Sequence, residues 1–284
     1  MEKVRRHLPL WASAIALCGG LISASPVSAL SFSIQDRDVA RSISLGGSCT
    51  GCELSGRDLS GANFSGANFT DATLIGTNLR GSTILGSRFQ DASFDNADLR
   101  GSTLIGSNFA DASFRSANLS GIVATGSTFT EADMRSADLT GAELVGAVFT
   151  SADMRNVKAV GAKMFGLSMR GADGRMGDFR NTEMTGANMI EADLRTANLS
   201  GANLTAARLT DARLEMTRLT GTNMHRTDIR GADLRRAIGL TQRQISQSCG
   251  DNSTQVPRGL TVNVCRTMPP APPVPPAPPA RPSR

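Results

Sequence analysis

From residue 52 to residue 236 the chain keeps one five-residue register without an insertion: CELSG, RDLSG, ANFSG, ANFTD and onward through 37 pentapeptides. The central position of each, beginning at Leu54, is Leu, Ile, Phe or Met in 34 of the 37, so it marks an interior. The exceptions are Ala124, Ala159 and Gly174. Two places earlier the residue is nearly always Ala, Ser, Thr or another small one, and the other three positions are mostly polar, charged or Gly. A period of five matches neither the 3.6 of a helix nor the 2 of a simple strand. It fits a chain that turns a corner every five residues. A unit this short cannot bury its own apolar side chain, so successive units must stack.

A second period counts the sides. Phe69, Phe89, Phe109, Phe129 and Phe149 recur at twenty-residue steps, as do Leu59, Leu79, Leu99, Leu119 and Leu139. Twenty residues are four pentapeptides, so one coil has four sides and like stacks on like. The repeat then amounts to 9.25 coils. At roughly 4.8 Å per coil it makes a rod about 44 Å long. Composition agrees with a narrow, repetitive core: there are 29 Gly, no Tyr and a single Trp, Trp11.

The A(D/N)Lxx pattern of these pentapeptides resembles the pentapeptide-repeat family over residues 52–236. The opening Cys49-Thr50-Gly51-Cys52-Glu53-Leu54-Ser55-Gly56 is similar to a start seen in exported members. The resemblance implies an all-β fold, a right-handed quadrilateral β-helix; periodicity alone yields four sides but not the hand.

The flanks read differently. Lys3, Arg5 and Arg6 precede an apolar run, residues 8–21, that is too short to span a bilayer, and Val27-Ser28-Ala29 offers small residues for cleavage. Residues 1–29 are therefore expected to be a secretory signal peptide, placing the protein in the periplasm or outside the cell. Residues 30–51 are expected to form an N-terminal cap through Ile34, Val39 and Ile43. Residues 237–268 should form a C-terminal cap. In it Thr241-Gln242-Arg243-Gln244 has the capping-box pattern of a short helix. Residues 269–284 hold nine of the twelve prolines and read as an extended polyproline II tail.

Four cysteines lie beyond the signal segment: Cys49, Cys52, Cys249 and Cys265. Cys49-x-x-Cys52 alone is compatible with a redox pair, a zinc half-site or a disulfide. No βαβ setting supports the first, and a four-cysteine zinc site needs all four within a few ångströms. A rod puts the two pairs at opposite ends, so the expected bridges are Cys49–Cys52 and Cys249–Cys265.

No catalytic or metal pattern stands out, and no enzyme activity or cofactor is expected. The only His after the signal segment is His225, at an outward position. The most informative outward feature is an arginine column, Arg115, Arg135, Arg155, Arg175 and Arg195, with Asp133, Asp153, Asp173 and Asp193 two places before the last four. Two roles fit it: a self-neutralising charged face, or a recognition face for an anionic partner.

The leading expectation is a non-enzymatic exported protein that binds another protein or an anionic envelope component. A DNA-mimic inhibitor of topoisomerase (gyrase), known in the family, is disfavoured by the signal segment. It is disfavoured also by the charge of residues 52–236, 21 acidic against 20 basic, since a duplex mimic needs a densely acidic surface. No nucleic-acid partner is expected. A third reading makes the Pro-rich tail an envelope tether. Finally, Val157 and Ile122 offset the missing bulk at Ala159 and Ala124, whereas Gly174 has only Ala172 beside it. A gap is expected at Gly174, to be filled by flexible methionines or by Met176 swinging inward.

Overall fold

A computed structural model describes residues 46–265. The signal segment, most of the expected N-terminal cap and the Pro-rich tail lie outside the described residues.

Each pentapeptide forms one side of a four-sided coil. The residue before each central one pairs in parallel with the residue twenty places on, from Ser48↔Asn68 and Glu53↔Thr73 to Arg218↔Ile238. Two stretches are regular enough to be strands, β1 (Asn63–Ser65) and β2 (Thr83–Leu85), paired Phe64↔Ile84. Coil joins coil by amides on both flanks: Leu54 N–H donates to Thr73 O at 2.7 Å, and Thr73 N–H to Cys52 O at 2.8 Å. We number the sides by their first full members: Leu54 on side 1, Leu59 on side 2, Phe64 on side 3 and Phe69 on side 4.

The five-residue pattern has a local cause at every position. Ala62 N–H closes a turn on Leu59 O, and Gly61 at its third place has φ +68°. A type II turn requires positive φ there. Every corner residue from 56 to 231 adopts it, which explains the Gly, Asn, Asp and Ser at these sites. Asp or Asn before the central residue accepts the N–H two places on, as Asp58 does from Ser60 and Asn68 from Thr70. The small residue is also buried: Ala67, Ala72 and Ala92 point inward with the central side chains. At several of the Ser and Thr sites the hydroxyl reaches a carbonyl one coil below, as Ser87 does to Phe64 O and Thr217 to Leu194 O, whereas Ser102 and Thr182 bond the carbonyl three residues back, Leu99 O and Phe179 O.

The core is one continuous column. Phe69, Phe89, Phe109, Phe129 and Phe149 stack with centroids 4.7, 5.2, 5.0 and 4.7 Å apart and planes within 14°. Val157 with Ala159, and Ile122 with Ala124, are all buried, so both inward residues of a repeat share one interior.

Two boundaries and one core detail differ from the sequence expectations. Regular pairing starts at Ser48, and Cys49 is a buried central residue, so residues 46–51 are coil rather than cap. At the other end Cys249 and Gln255 still pair with Asp228 and Asp233, so the C-terminal cap carries on the coil along sides 4 and 1. At Gly174 there is no void for methionine. A Cβ added there would lie 2.9 Å from Leu194 Cδ2 and 3.5 Å from Phe179 Cε2, and one added at Gly177 would collide with the same ring. Gly174 and Gly177 thus cradle Phe179, the only buried Phe after Phe149 among the described residues, and Met176 stays outside, 55% exposed.

The C-terminal cap works as its sequence pattern predicts. Helix α1 (Gln242–Gln247) replaces side 3 of a further coil, with a capping box between Thr241 and Gln244. Gln244 Nε2 donates to Leu219 O and Thr222 O, and Ile245 is buried against the open end of the core. Thr254 Oγ1 donates to Ile229 O. These bonds satisfy carbonyls that a further coil would otherwise take.

Candidate interaction face

Side 1 holds the arginine column where its spacing predicted. The coil places Asp133 and Arg135 on either side of inward-pointing Met134, so both project from the same edge. Arg135 donates from Nε to Asp133 Oδ1 at 2.8 Å and from Nη2 to Oδ2 at 2.6 Å. Arg175 and Arg195 make the same fork with Asp173 and Asp193, as does Arg155 with Asp153. Planar guanidinium suits such two-point contact in a way that an ammonium cannot. Arg115 departs, because Ser113 stands before it; its Nε reaches up one coil to Asp133 Oδ2 at 2.6 Å.

Longer contacts join the coils. Arg135 lies 3.6 Å from Asp153, Arg155 3.7 Å from Asp173, Arg175 4.0 Å from Asp193, and Arg195 4.0 Å from Glu215. A ladder of alternating charge therefore runs from Asp95 through Arg115 to Glu215 and Arg235. Burial works against ionising Asp133, but the bonds from Arg135 and Arg115 outweigh it and pull the carboxyl down to about 2. Asp153 and Asp193 are lowered for the same reasons, again against burial. The bond to Asp153 raises Arg155 in turn. Both cysteine pairs are bridged as expected, Cys49–Cys52 at one end and Cys249–Cys265 at the other.

Two further columns of the surface were not singled out as surfaces from the sequence, although the recurrence of Asp71, Asp91, Asp111 and Glu131 at twenty-residue steps is part of what counts the sides. Asp71, Asp91, Asp111 and Glu131 occupy successive positive-φ corners between sides 4 and 1, an acidic line over four coils. On side 3, Leu85, Ile105, Thr125, Val145 and Phe165 form an outward column just after the central position. Both recur at twenty residues and could have been found by reading each outward position separately at that period. Among the described residues, no group of His, Cys, Asp or Glu is placed to hold a metal ion, and no helix is long and apolar enough to cross a membrane.

Coils of four five-residue sides, sealed to one another by parallel pairing and covered by a terminal helix, define a β-solenoid repeat protein. The chain belongs to the pentapeptide-repeat family: the family described as Pentapeptide repeats matches residues 127–171, 162–201 and 197–236, and Pentapeptide repeat region matches 48–123. No curated protein matches the chain. Among solved structures it resembles HetL, a pentapeptide repeat protein involved in heterocyst differentiation regulation from the cyanobacterium Nostoc. HetL is 25% identical, with 72% of this chain and 90% of that one covered and a TM-score of 0.62. A structure of QnrB1, a plasmid-mediated fluoroquinolone resistance protein, is 21% identical over 63% of this chain and 91% of its own, with a TM-score of 0.31. Rfr23 from the cyanobacterium Cyanothece is 19% identical over 67% and 90%, with a TM-score of 0.20. The hand of the coil is that of the family, a right-handed β-helix.

Proposed function

We propose that the protein is an exported, non-enzymatic binding rod of the periplasm or cell exterior, with the side 1 ladder as its contact face for a protein or envelope component bearing anionic groups. The observation that carries this reading is the preorganisation of the ladder. Four guanidiniums are held by their aspartates at one-coil intervals, yet Arg135, Arg155, Arg175 and Arg195 keep 31–39% of their side-chain surface open. A partner with carboxylates or phosphates at matching intervals meets donors already fixed in place, which lowers the ordering cost of binding. A partner with one isolated anion gains little, because each arginine already has a counter-charge.

Two features weigh against the duplex-mimic alternative. The acidic corner line is interrupted at Ser151 and Gly171 before resuming at Glu191 and Asp211, and side 1 beside it alternates in sign. The test is capture from envelope extract by the wild type and by the triple variant Arg135→Ser, Arg155→Ser, Arg175→Ser. Loss of the captured partner from the variant, with unchanged thermal unfolding, is the expected result; undiminished capture at low salt would return the ladder to a purely solubilising role. Intact-mass analysis of exported protein should show cleavage after Ala29.

A further inference from the structure

The corner between sides 1 and 2 changes character along the rod. It begins as Gly56, Gly76, Asn96, Ser116, Ser136 and Asn156, all glycine or short polar residues at positive φ. Then come Met176, Thr196 and Met216, at φ 60°, 61° and 59°. Left-handed backbone is costly for a bulky or β-branched side chain. Among the described residues, Thr196 is the one β-branched residue that adopts it, and the two methionines are the only large apolar ones. The methionines do not recover the cost by burial. Met176 is 55% and Met216 48% exposed, more than any other large apolar side chain of the repeat. Residues both strained and open to solvent add little to a fold, and such residues gather at binding sites.

The three residues floor a cleft of about 360 Å³, with Arg175, Arg195 and Glu215 on its side 1 wall and Arg236 one coil above Met216. That volume is at the low end for ligand pockets, so it suits one large side chain rather than a cofactor-sized molecule. Arg175 and Arg195 are forked to Asp173 and Asp193, which fixes their guanidinium planes. Glu215 is held between Arg195 at 4.0 Å and Arg235 at 3.7 Å. Arg236 is exposed and pairs with no described residue. The cleft therefore offers one uncommitted cation beside two thioethers and two fixed guanidinium planes.

Such a lining best holds a flat ring next to an anion. Methionine sulfur packs against ring edges, a fixed guanidinium stacks on a ring face, and Arg236 is left to take a carboxylate. A second copy of the rod is a poor source of that ring. The chain has no Tyr, and among the described residues every Phe except half-buried Phe165 lies in the core.

We propose that the cleft between Met176 and Met216 is the anchor point for a partner protein, taking one aromatic side chain together with a carboxylate beside it in the partner's chain. This rests on the reading of side 1 as the contact face and places the partner's best-held residue at the C-terminal end of the ladder. The ring lies against the Arg195 guanidinium between the two methionines, and its carboxylate neighbour pairs with Arg236.

The test titrates the full chain, with isotope-labelled methionine methyls, against acetyl-Trp-Asp-amide. The methyl signals of Met176 and Met216, assigned by single replacements, should move together and saturably, while those of buried Met134 and Met169 stay. Acetyl-Trp-Asn-amide should bind about tenfold more weakly, as expected for losing one bond between charged groups. Arg236→Gln should weaken the acidic peptide by the same factor and leave the neutral one unchanged. Met176→Gly combined with Met216→Gly should abolish binding without lowering the unfolding midpoint, because glycine takes this corner freely. Unmoved Met176 and Met216 methyls, equal affinity for the two peptides, or unchanged binding by Arg236→Gln would each overturn the proposal. A lowered midpoint in the double glycine variant would overturn it as well, by showing that the methionines serve the fold. The titration needs no envelope partner. Absent peptide binding with ladder-dependent capture would therefore sink the anchor alone, whereas peptide binding with undiminished capture by the ladder variant would sink the contact-face reading and keep the cleft.

Discussion

Between residues 64 and 149 the interior is built around rings: the five-membered Phe69–Phe149 stack, with Phe64, Phe94 and Phe114 set edge-on or tilted against it. Between residues 154 and 234 the same inward positions hold Met154, Met164, Met169, Met184, Met189 and Met224 among leucines, with Phe179 alone in its glycine cradle. Ring stacking and coil spacing nearly coincide, so a phenylalanine is best placed directly above another one. A methionine has no such demand and adapts to whatever lies above and below. The halves also differ outside. Residues 52–144 carry 11 acidic and 6 basic side chains, and residues 145–236 carry 10 and 14. One backbone thus accepts a rigid, self-templating core in one half and an adaptable core in the other.

The largest effect should come from breaking the stack. Phe109→Ala, at its centre, should cost about 3–5 kcal/mol in urea unfolding. Met169→Leu in the other half should cost under about 1.5 kcal/mol. Equal costs would erase the distinction between the halves.

The two ends sharpen it next. Cys249–Cys265 closes a separation of 16 residues, and its removal by paired Cys→Ser changes should cost about 3 kcal/mol on the chain-entropy account. Cys49–Cys52, with a separation of three, should matter less. Hydrogen exchange should accelerate in the methionine-rich coils first. Non-reducing peptide maps should show these two bridges, and a Cys49–Cys249 bridge within one chain would contradict the rod.

Gly174→Leu probes the one aromatic position of the adaptable half. It should destabilise by about 1–3 kcal/mol, because Leu194 and Phe179 already occupy the space. A raised midpoint in thermal unfolding would show that this half can absorb even a branched side chain.

The smallest effect is electrostatic. Asp133 titrates near 2 when folded and near 3.9 when unfolded. Its contribution is complete above about pH 4, where both states are ionised, and is lost as pH falls through about 2, because the unfolded chain takes up the proton first. Such partly exposed pairs contribute at most about 1 kcal/mol each. Stability of the wild type should therefore fall more steeply from pH 4 to pH 2 than that of Asp133→Asn.

Sequence carried much of this because each side is a local structure. The turn at Gly61, the Asp133–Arg135 fork and the Thr241 capping box are set by residues two or three apart, and the twenty-residue period then assigns every column its side. The start at Ser48 was missed although Gly46 and Gly51 keep the corner spacing, because Cys49 stood in the place of a Leu or Phe. Phe179 was missed for another reason. Its ring fills the space of Gly174 and Gly177, and direction of lean along the axis is a rotamer choice that no periodicity encodes. The side 3 column lay within reach of the pattern, one place beyond the residues that mark the core.

The pairing of each residue with the one twenty places on also bears on how quickly the chain can find its fold. Most all-β domains join segments far apart in sequence and fold slowly for that reason. Here nearly every pairing closes a loop of the same modest size, so the relative contact order of the 185-residue repeat is about 0.1, in the range of helical bundles. Once one coil has formed, the next needs only twenty more residues to lie down on it. Growth can proceed in both directions, and the phenylalanine-stacked coils offer the firmest first platform.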